Sequence, residues 1–480
     1  MRVNDLMFSL SAIEFFKGLM HFISRKFSLG LLLLAFYATL RAQETHGDMQ
    51  TQTPSQQHPA MPDMDMEHMK HGKTMEMNMG ETPTTFIEEI ESHSSSGSDA
   101  QPNSTPTSML MSMKGNWMLM LHGVAFLSEQ QQSGERGGDK FFSTNWVMPM
   151  AQRKFGKSTL TLRAMLSFEP ATVTKRYYPE LFQQGETAFS KPIVDGQHPH
   201  NFLMEVAALY DLRLGEKSLL SFYAAPVGDP AMGPTAYPHR ASASENPLAA
   251  LGHHLQDSTH IADDVLTLGI THSAVRLEVS GFHGREPDEN RWKLDSGKIN
   301  SWSTRLTVNP GQNWSGQYSF AHLASPEALH PKEDVDRMTA SVTYNHPIKN
   351  GNWATLLLWG RNRSRPTGLV WNGYLAESTL QFSTRNYVWA RFENVDRTSE
   401  LLLKNSFEPA SFEESIIGRV QASTLGYDRD IDLVPHLATA IGGRVTFYGV
   451  PDTLKPIYGS HPVGVVLFVR IRPFGKKGNP

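Results

Sequence analysis

The sequence predicts an all-β fold: a transmembrane antiparallel β-barrel of about 16 strands with a disordered N-terminal tail. Three observations predict it. From Asn116 onward, stretches of roughly ten residues alternate apolar and polar side chains, the period of a strand with one wet face and one greasy face. Short turn signals alternate with long polar loops along the same stretch. A short apolar run near the N-terminus has the layout of an export signal, and no later segment is apolar over the ~20 residues a membrane helix needs.

The elements follow in chain order. Arg25 and Lys26 precede an apolar run from Phe27 to Ala38, and Ala42 precedes a polar stretch. This is a basic region, a short apolar region and a small residue, so residues 1–42 read as a signal peptide. Cleavage is expected after Ala42, although Leu40 is larger than that position favours. Met20 is a second candidate start, because the residues before it fit poorly as a signal. Residues 43–114 are rich in Gln, Ser, Thr, Pro and acidic side chains, and read as a disordered Met/His-rich periplasmic tail. The barrel is expected over 115–474, followed by a C-terminal extension at 475–480.

Within the barrel, Leu160, Leu162, Ala164 and Leu166 oppose Thr159, Thr161, Arg163 and Met165. Val275, Leu277 and Val279 oppose Arg276, Glu278 and Ser280. Tight turns are expected near 153–157, 215–217, 271–274, 309–313, 347–351 and 384–386, with long loops between them. That rhythm favours a bacterial outer-membrane barrel over a soluble sandwich or propeller, which also alternates. Trp117, Trp146, Trp314, Trp353 and Tyr387 lie near strand ends and are candidates for interfacial girdles. With the tail in the periplasm, the tight turns are periplasmic, and the long loops lie outside or fold into the lumen.

The chain has no cysteine, which excludes disulfides and thiolate metal sites. Its net charge of −4 gives no footprint for nucleic acid. The available ligands are Met, His, Asp and Glu, and three groups of them stand out.

The first is the tail, where Met61, Met64, Met66, His68, Met69, His71, Met75, Met77 and Met79 crowd a stretch with little else apolar. Thioether sulfur and imidazole suit monovalent copper, and thioethers need no deprotonation. The second group is Met118, Met120 and His122 on one face of the first long strand. Ligation and ordinary gap-filling are equally weighted readings there. Met109, Met111 and Met113 join that face only if the chain bends near Lys114–Gly115. The third group is His198 and His200 in one long loop, with His253, His254, Asp257 and His260 in another. Imidazole and carboxylate together can hold Cu(II) or Zn(II). A polar network ordering a loop that plugs the barrel is the reading favoured for them. A short helix would bring His254, Asp257 and His260 to one face. Charged candidates for the lumen, among them Arg163, Glu205, Arg276, Glu278, Arg305 and Arg391, are of mixed sign and should pair.

The order of signal peptide, Met/His-rich tail (Met61 to His71) and barrel resembles the copper-resistance protein B family. That resemblance implies copper tolerance, with copper bound by the tail. The segments 195–201 and 251–260 resemble those of uncharacterised bacterial outer-membrane proteins. The leading expectation is a non-enzymatic outer-membrane protein that binds copper ions for sequestration or export. Its expected partners are outer-membrane lipid and periplasmic copper proteins. A general porin or uncharacterised channel with an incidental tail is the alternative. A barrel hydrolase built on Ser258 between Asp257 and His260 ranks below both, because side chains so close in sequence diverge.

Overall fold

The computed structural model describes residues 82–473, apart from 405, 410, 432 and 434–436. The signal peptide, the tail ligands from Met61 to Met79, Phe474 and the C-terminal extension lie outside the described residues.

Seventeen strands form one antiparallel sheet. The chain enters it through β1 (Leu110–Lys114), β2 (Trp117–Gln132), β3 (Lys140–Phe155), β4 (Ser158–Leu166), β5 (Leu203–Gly215) and β6 (Ser218–Gly228). It continues through β7 (Ala262–His272), β8 (Val275–His283), β9 (Ser301–Val308), β10 (Trp314–Leu323), β11 (Val335–Ile348) and β12 (Gly351–Ser364). β13 (Val370–Phe382), β14 (Asn386–Thr398), β15 (Ile416–Asp430), β16 (Leu437–Gly449) and β17 (Val463–Pro473) complete it. Each strand from β2 pairs with the next, and β17 returns to β2, from Ala125 opposite Ile471 to Gln132 opposite Gly464. The ring is therefore a closed barrel of 16 strands. β1 lies on the same edge of β2 below that seam, pairing Leu110 with Leu121 and Lys114 with Trp117.

The expected alternation is present, and it is turned outward. Val275, Leu277 and Val279 are 45%, 49% and 53% exposed, against 1% for each of Arg276, Glu278 and Ser280. Trp302 and Leu306 face out while Ser301, Ser303 and Arg305 face in, and β4, β7 and β10 repeat the pattern. An apolar exterior around a polar interior is the arrangement a lipid-facing barrel requires. The interior charges pair as their mixed signs predict. Arg163 meets Glu205 at 2.8 Å, Glu278 lies 2.9 Å from both Arg276 and Arg305, and Arg391 meets Glu377 at 3.0 Å.

All six expected tight turns fall between paired strands. Two aromatics expected at the interface face inward instead. Trp146 packs on the rings of His122 and His239, and Tyr387 lies beneath Arg470. Each is in phase with the buried side chains of its own strand, and the lumen supplies polar partners for both.

The expected disordered tail through residue 114 is corrected over its described part. Helix α1 (Phe86–Ser92) is closed at its N-terminus by a capping box of Thr85 and Glu88. Phe86, Ile87 and Ile90 pack against Leu219 inside the barrel. Beyond α1, Arg163 donates to the carbonyls of His93, Ser95 and Gly97, and Gly97 N–H donates to Glu205 at 2.9 Å. Gly97 has φ +56°, and a Cβ there would lie 2.6 Å from the Asp229 carbonyl, so only glycine fits. Asp99 binds Arg305, and Ser104 exchanges hydrogen bonds with Asn345. A segment too polar to form its own core is thus ordered by a polar wall.

Loop 229–261 fills more of the lumen. Arg391 donates to the Leu248 carbonyl, Arg397 to that of Leu251 and Arg444 to Asn246, while Arg240 of the loop binds Glu377 at 2.9 Å. The favoured plug reading of the histidine-rich loop therefore matches its position.

Candidate metal centre in the barrel lumen

Four consecutive strands bring methionine to one place inside the wall. Met120 on β2 stands opposite Met150 on β3, and His122 opposite Met148. Met165 comes from β4 and Met204 from β5, two strands that pair at this height. These five methionines are buried together, with Met109, Met111 and Met118 half-buried against them. The bend expected near Lys114–Gly115 is a reverse turn, with Gly115 at φ +61°. It folds β1 back so that Met111 lies opposite Met120 and Met113 opposite Met118.

Two imidazoles face this cluster. His239 comes from loop 229–261, and its Nε2 lies 3.4 Å from Met165 Sδ. Its ring centroid is 5.7 Å from that of His122, and Trp146 packs on both rings. Nε2 of His122 is buried and has no hydrogen-bond partner among the described residues. Burial first, then the neighbouring His122 and Arg163, hold His239 well below the usual imidazole range, so its ring stays neutral. An orphaned imidazole nitrogen, a neutral second imidazole and several thioethers form a donor set that fits monovalent copper. A cavity of about 220 Å³ touches His122, His239 and Trp146, and runs past Tyr387 and Gln381 toward the tight-turn end.

The other expected ligands divide. His254, Asp257 and His260 do not share a face, because the helix His253–Gln256 breaks at Asp257, where φ is −143°. The Asp257 carboxylate is occupied by Arg240 at 2.7 Å and His253 at 2.7 Å. His260 bonds the Asp257 carbonyl, and His200 lies 3.0 Å from Glu169 and 3.3 Å from the Tyr237 hydroxyl. Asp257, His200, His253 and His260 thus form a hydrogen-bonded network and not a convergent ligand set. Ser258 accepts from Arg337 at 2.9 Å, and His260 turns its Nδ1 to the Asp257 carbonyl. His198 and His254 do converge, on Glu186, at the loop end.

Sequence reasoning had Met118, Met120, His122 and Met165, and His239 only as part of a histidine-rich loop apart from them; it missed Met148, Met150, Met204 and Glu186. Met148-Pro-Met150 is itself a Met-x-Met run whose inward phase was readable. The other two depend on which strands and loops meet.

No family model matches the chain, and no curated protein matches it. Among solved structures it is similar to an anion-selective porin from Comamonas acidovorans, with TM-score 0.46, 10% identity and coverage of 74% of this chain and 99% of that one. It is also similar to Salmonella typhi OmpF in complex with daunomycin, with TM-score 0.45, 8% identity and coverage of 76% and 100%. OmpT, an outer membrane protein of Vibrio cholerae, gives TM-score 0.43, 7% identity and coverage of 75% and 99%.

Proposed function

We propose that this chain is a bacterial outer-membrane protein that binds monovalent copper, for tolerance by sequestration or export. The observation that carries this reading is the buried set Met120, Met148, Met150, Met165 and Met204 beside the partnerless nitrogen of His122 and the ring of His239. Leucine would fill a wall gap as well as methionine does, but it offers no sulfur. The belt of exposed Leu, Val, Phe and Trp around the ring supports the membrane placement. Thr84, at the start of the described chain, accepts a hydrogen bond from Gln312 in the turn 309–313. That contact supports a periplasmic tight-turn end, facing the compartment where copper would be collected. The resemblance to the copper-resistance protein B family, drawn from the tail, agrees with this reading.

The test is titration of the folded full-length barrel in detergent with Cu(I) under reductant, Ag(I) and Zn(II). Preference for the first two, with at least one equivalent lost in a Met148→Leu, Met165→Leu, Met204→Leu variant, is the expected result. Indifference to all three metals removes the copper reading.

A second reading is a general channel for small solutes. It is favoured by the strand number, since barrels of about sixteen strands enclose an aqueous channel when nothing fills them. Here both the 84–108 segment and loop 229–261 occupy the lumen, so passage would require displacing them. Regular conductance steps from the wild-type barrel in planar bilayers, with no copper uptake, would favour it.

A further inference from the structure

We propose that Glu186, His198 and His254 bind one divalent transition-metal ion, with zinc(II) as the reference, at the loop end of the barrel. This site is separate from the methionine pocket and does not depend on it. One ligand atom from each of the three residues lies within 4.8 Å of the others. Tetrahedral zinc, bound at ~2.0–2.1 Å, holds its ligand atoms roughly 3.3 Å apart, so small side-chain rotations close the set.

The hydrogen bonding around the three residues suits a cation held between them. His198 donates Nδ1–H to the Pro199 carbonyl at 2.8 Å, since a carbonyl can only accept. Its other nitrogen, Nε2, is thereby directed at Glu186 Oε1. A ligating histidine anchored through its second nitrogen to a backbone carbonyl is the usual outer-sphere arrangement. Among the described residues neither buried ring nitrogen of His254 has a hydrogen-bond partner, and Nδ1 is 3.4 Å from the same Oε1. A cation between the two imidazoles and the carboxylate satisfies all three.

Arg291 Nη2 lies 3.5 Å from Oε2 of Glu186. Its charge opposes a cation, but it engages the oxygen turned away from the histidines and so orients Oε1 toward them.

The position suits an exchangeable ion. Glu186 and Pro199 line a cavity of about 930 Å³ that is also bounded by Glu286, Glu289, Glu327 and Glu400. Three protein ligands beside an acidic cavity leave a fourth position for water or an incoming anionic ligand. Two loop segments, 186–198 and 253–254, would be tied together by the ion. The site therefore selects borderline divalent ions, whereas the methionine pocket selects soft monovalent ones.

The experiment uses the full-length barrel folded in detergent and titrated with Co(II), whose visible absorption reports coordination, followed by displacement with Zn(II). Wild type is expected to bind one more equivalent than His254→Ala, and Glu186→Gln to weaken that equivalent at least tenfold. Triple methionine-to-leucine exchange in the lumen is expected to leave it unchanged. Equal stoichiometry and affinity in wild type and His254→Ala overturn the proposal. Should a variant fail to fold, histidine carbethoxylation of the wild type decides. Zn(II) should protect His198 and His254 at least fivefold, and equal labelling of His254 with and without Zn(II) overturns the proposal.

Discussion

The sulfur of Met165 lies 3.4 Å from Nε2 of His239, joining wall strand β4 to the loop that fills the lumen through a pair of soft donors. Exchange of Met165 for leucine conserves volume and should cost under about 1.5 kcal/mol of stability. The same exchange should lower Ag(I) affinity at the lumen site about tenfold or more. Competition against a chromophoric chelator measures the second effect, and the thermal midpoint measures the first.

Asp99 and Glu278 both depend on Arg305. Arg305→Ala leaves buried Asp99 without its cation and Glu278 with Arg276 alone, a loss of about 3–5 kcal/mol for a broken buried pair. Release of the 84–108 segment is the expected outcome. It would appear as new protease cleavage between residues 84 and 108 and as added conductance in planar bilayers. A variant as closed and as resistant as wild type would contradict this role.

Burial raises Glu89 on α1 from 4.5 to about 8. A carboxyl with a raised folded value favours the folded state fully below 4.5, and that contribution is lost as the pH rises through about 8. The 84–108 segment should therefore loosen progressively as the pH rises from 4.5 to about 8 and change little above that, read as faster proteolysis or hydrogen exchange. Glu89→Gln stays neutral and should flatten that part of the response.

Near the seam of the barrel, fully buried Arg470 on β17 meets Asp428 at 2.9 Å on β15, together with Asp430 and Glu245. Arg470→Met takes the ion-pair partner from Asp428 and one partner each from Asp430 and Glu245, and should lower stability by about 3–5 kcal/mol. The temperature at which the folded band disappears in a heat-modifiability gel should fall accordingly.

On the outer face, Leu268 of β7 is 49% exposed. Leu268→Arg should cost about 2–4 kcal/mol in a bilayer if the residue lies near the midplane. Refolding yield into liposomes measures it. The inward neighbour Thr267→Ser should be nearly silent.

The barrel was legible because strand side chains alternate over two faces, so Val275 to Ser280 disclosed its lipid and lumen sides without knowledge of its neighbours. Which strands meet is a separate matter. Met118, Met120 and His122 share one strand and could be read together, while Met204 and His239 reach the pocket only through the register of β4 with β5 and the path of loop 229–261. The segment 84–108 was misread for a physical reason. Polar composition signals disorder in water, yet the lumen wall supplies Arg163, Arg305 and Asn345 as partners. The capping box of Thr85 and Glu88 ahead of Phe86, Ile87 and Ile90 was the signal that could have disclosed it.

The inverted wall, greasy outside and charged within, has a consequence for biogenesis. Hydrophilic residues alternate with apolar ones along strands such as β8 and β9, so neither is oily enough to be arrested in the first bilayer an exported chain must cross. The polypeptide can travel through water unfolded, and its affinity for lipid arises only when the ring closes and the scattered apolar half becomes one continuous surface.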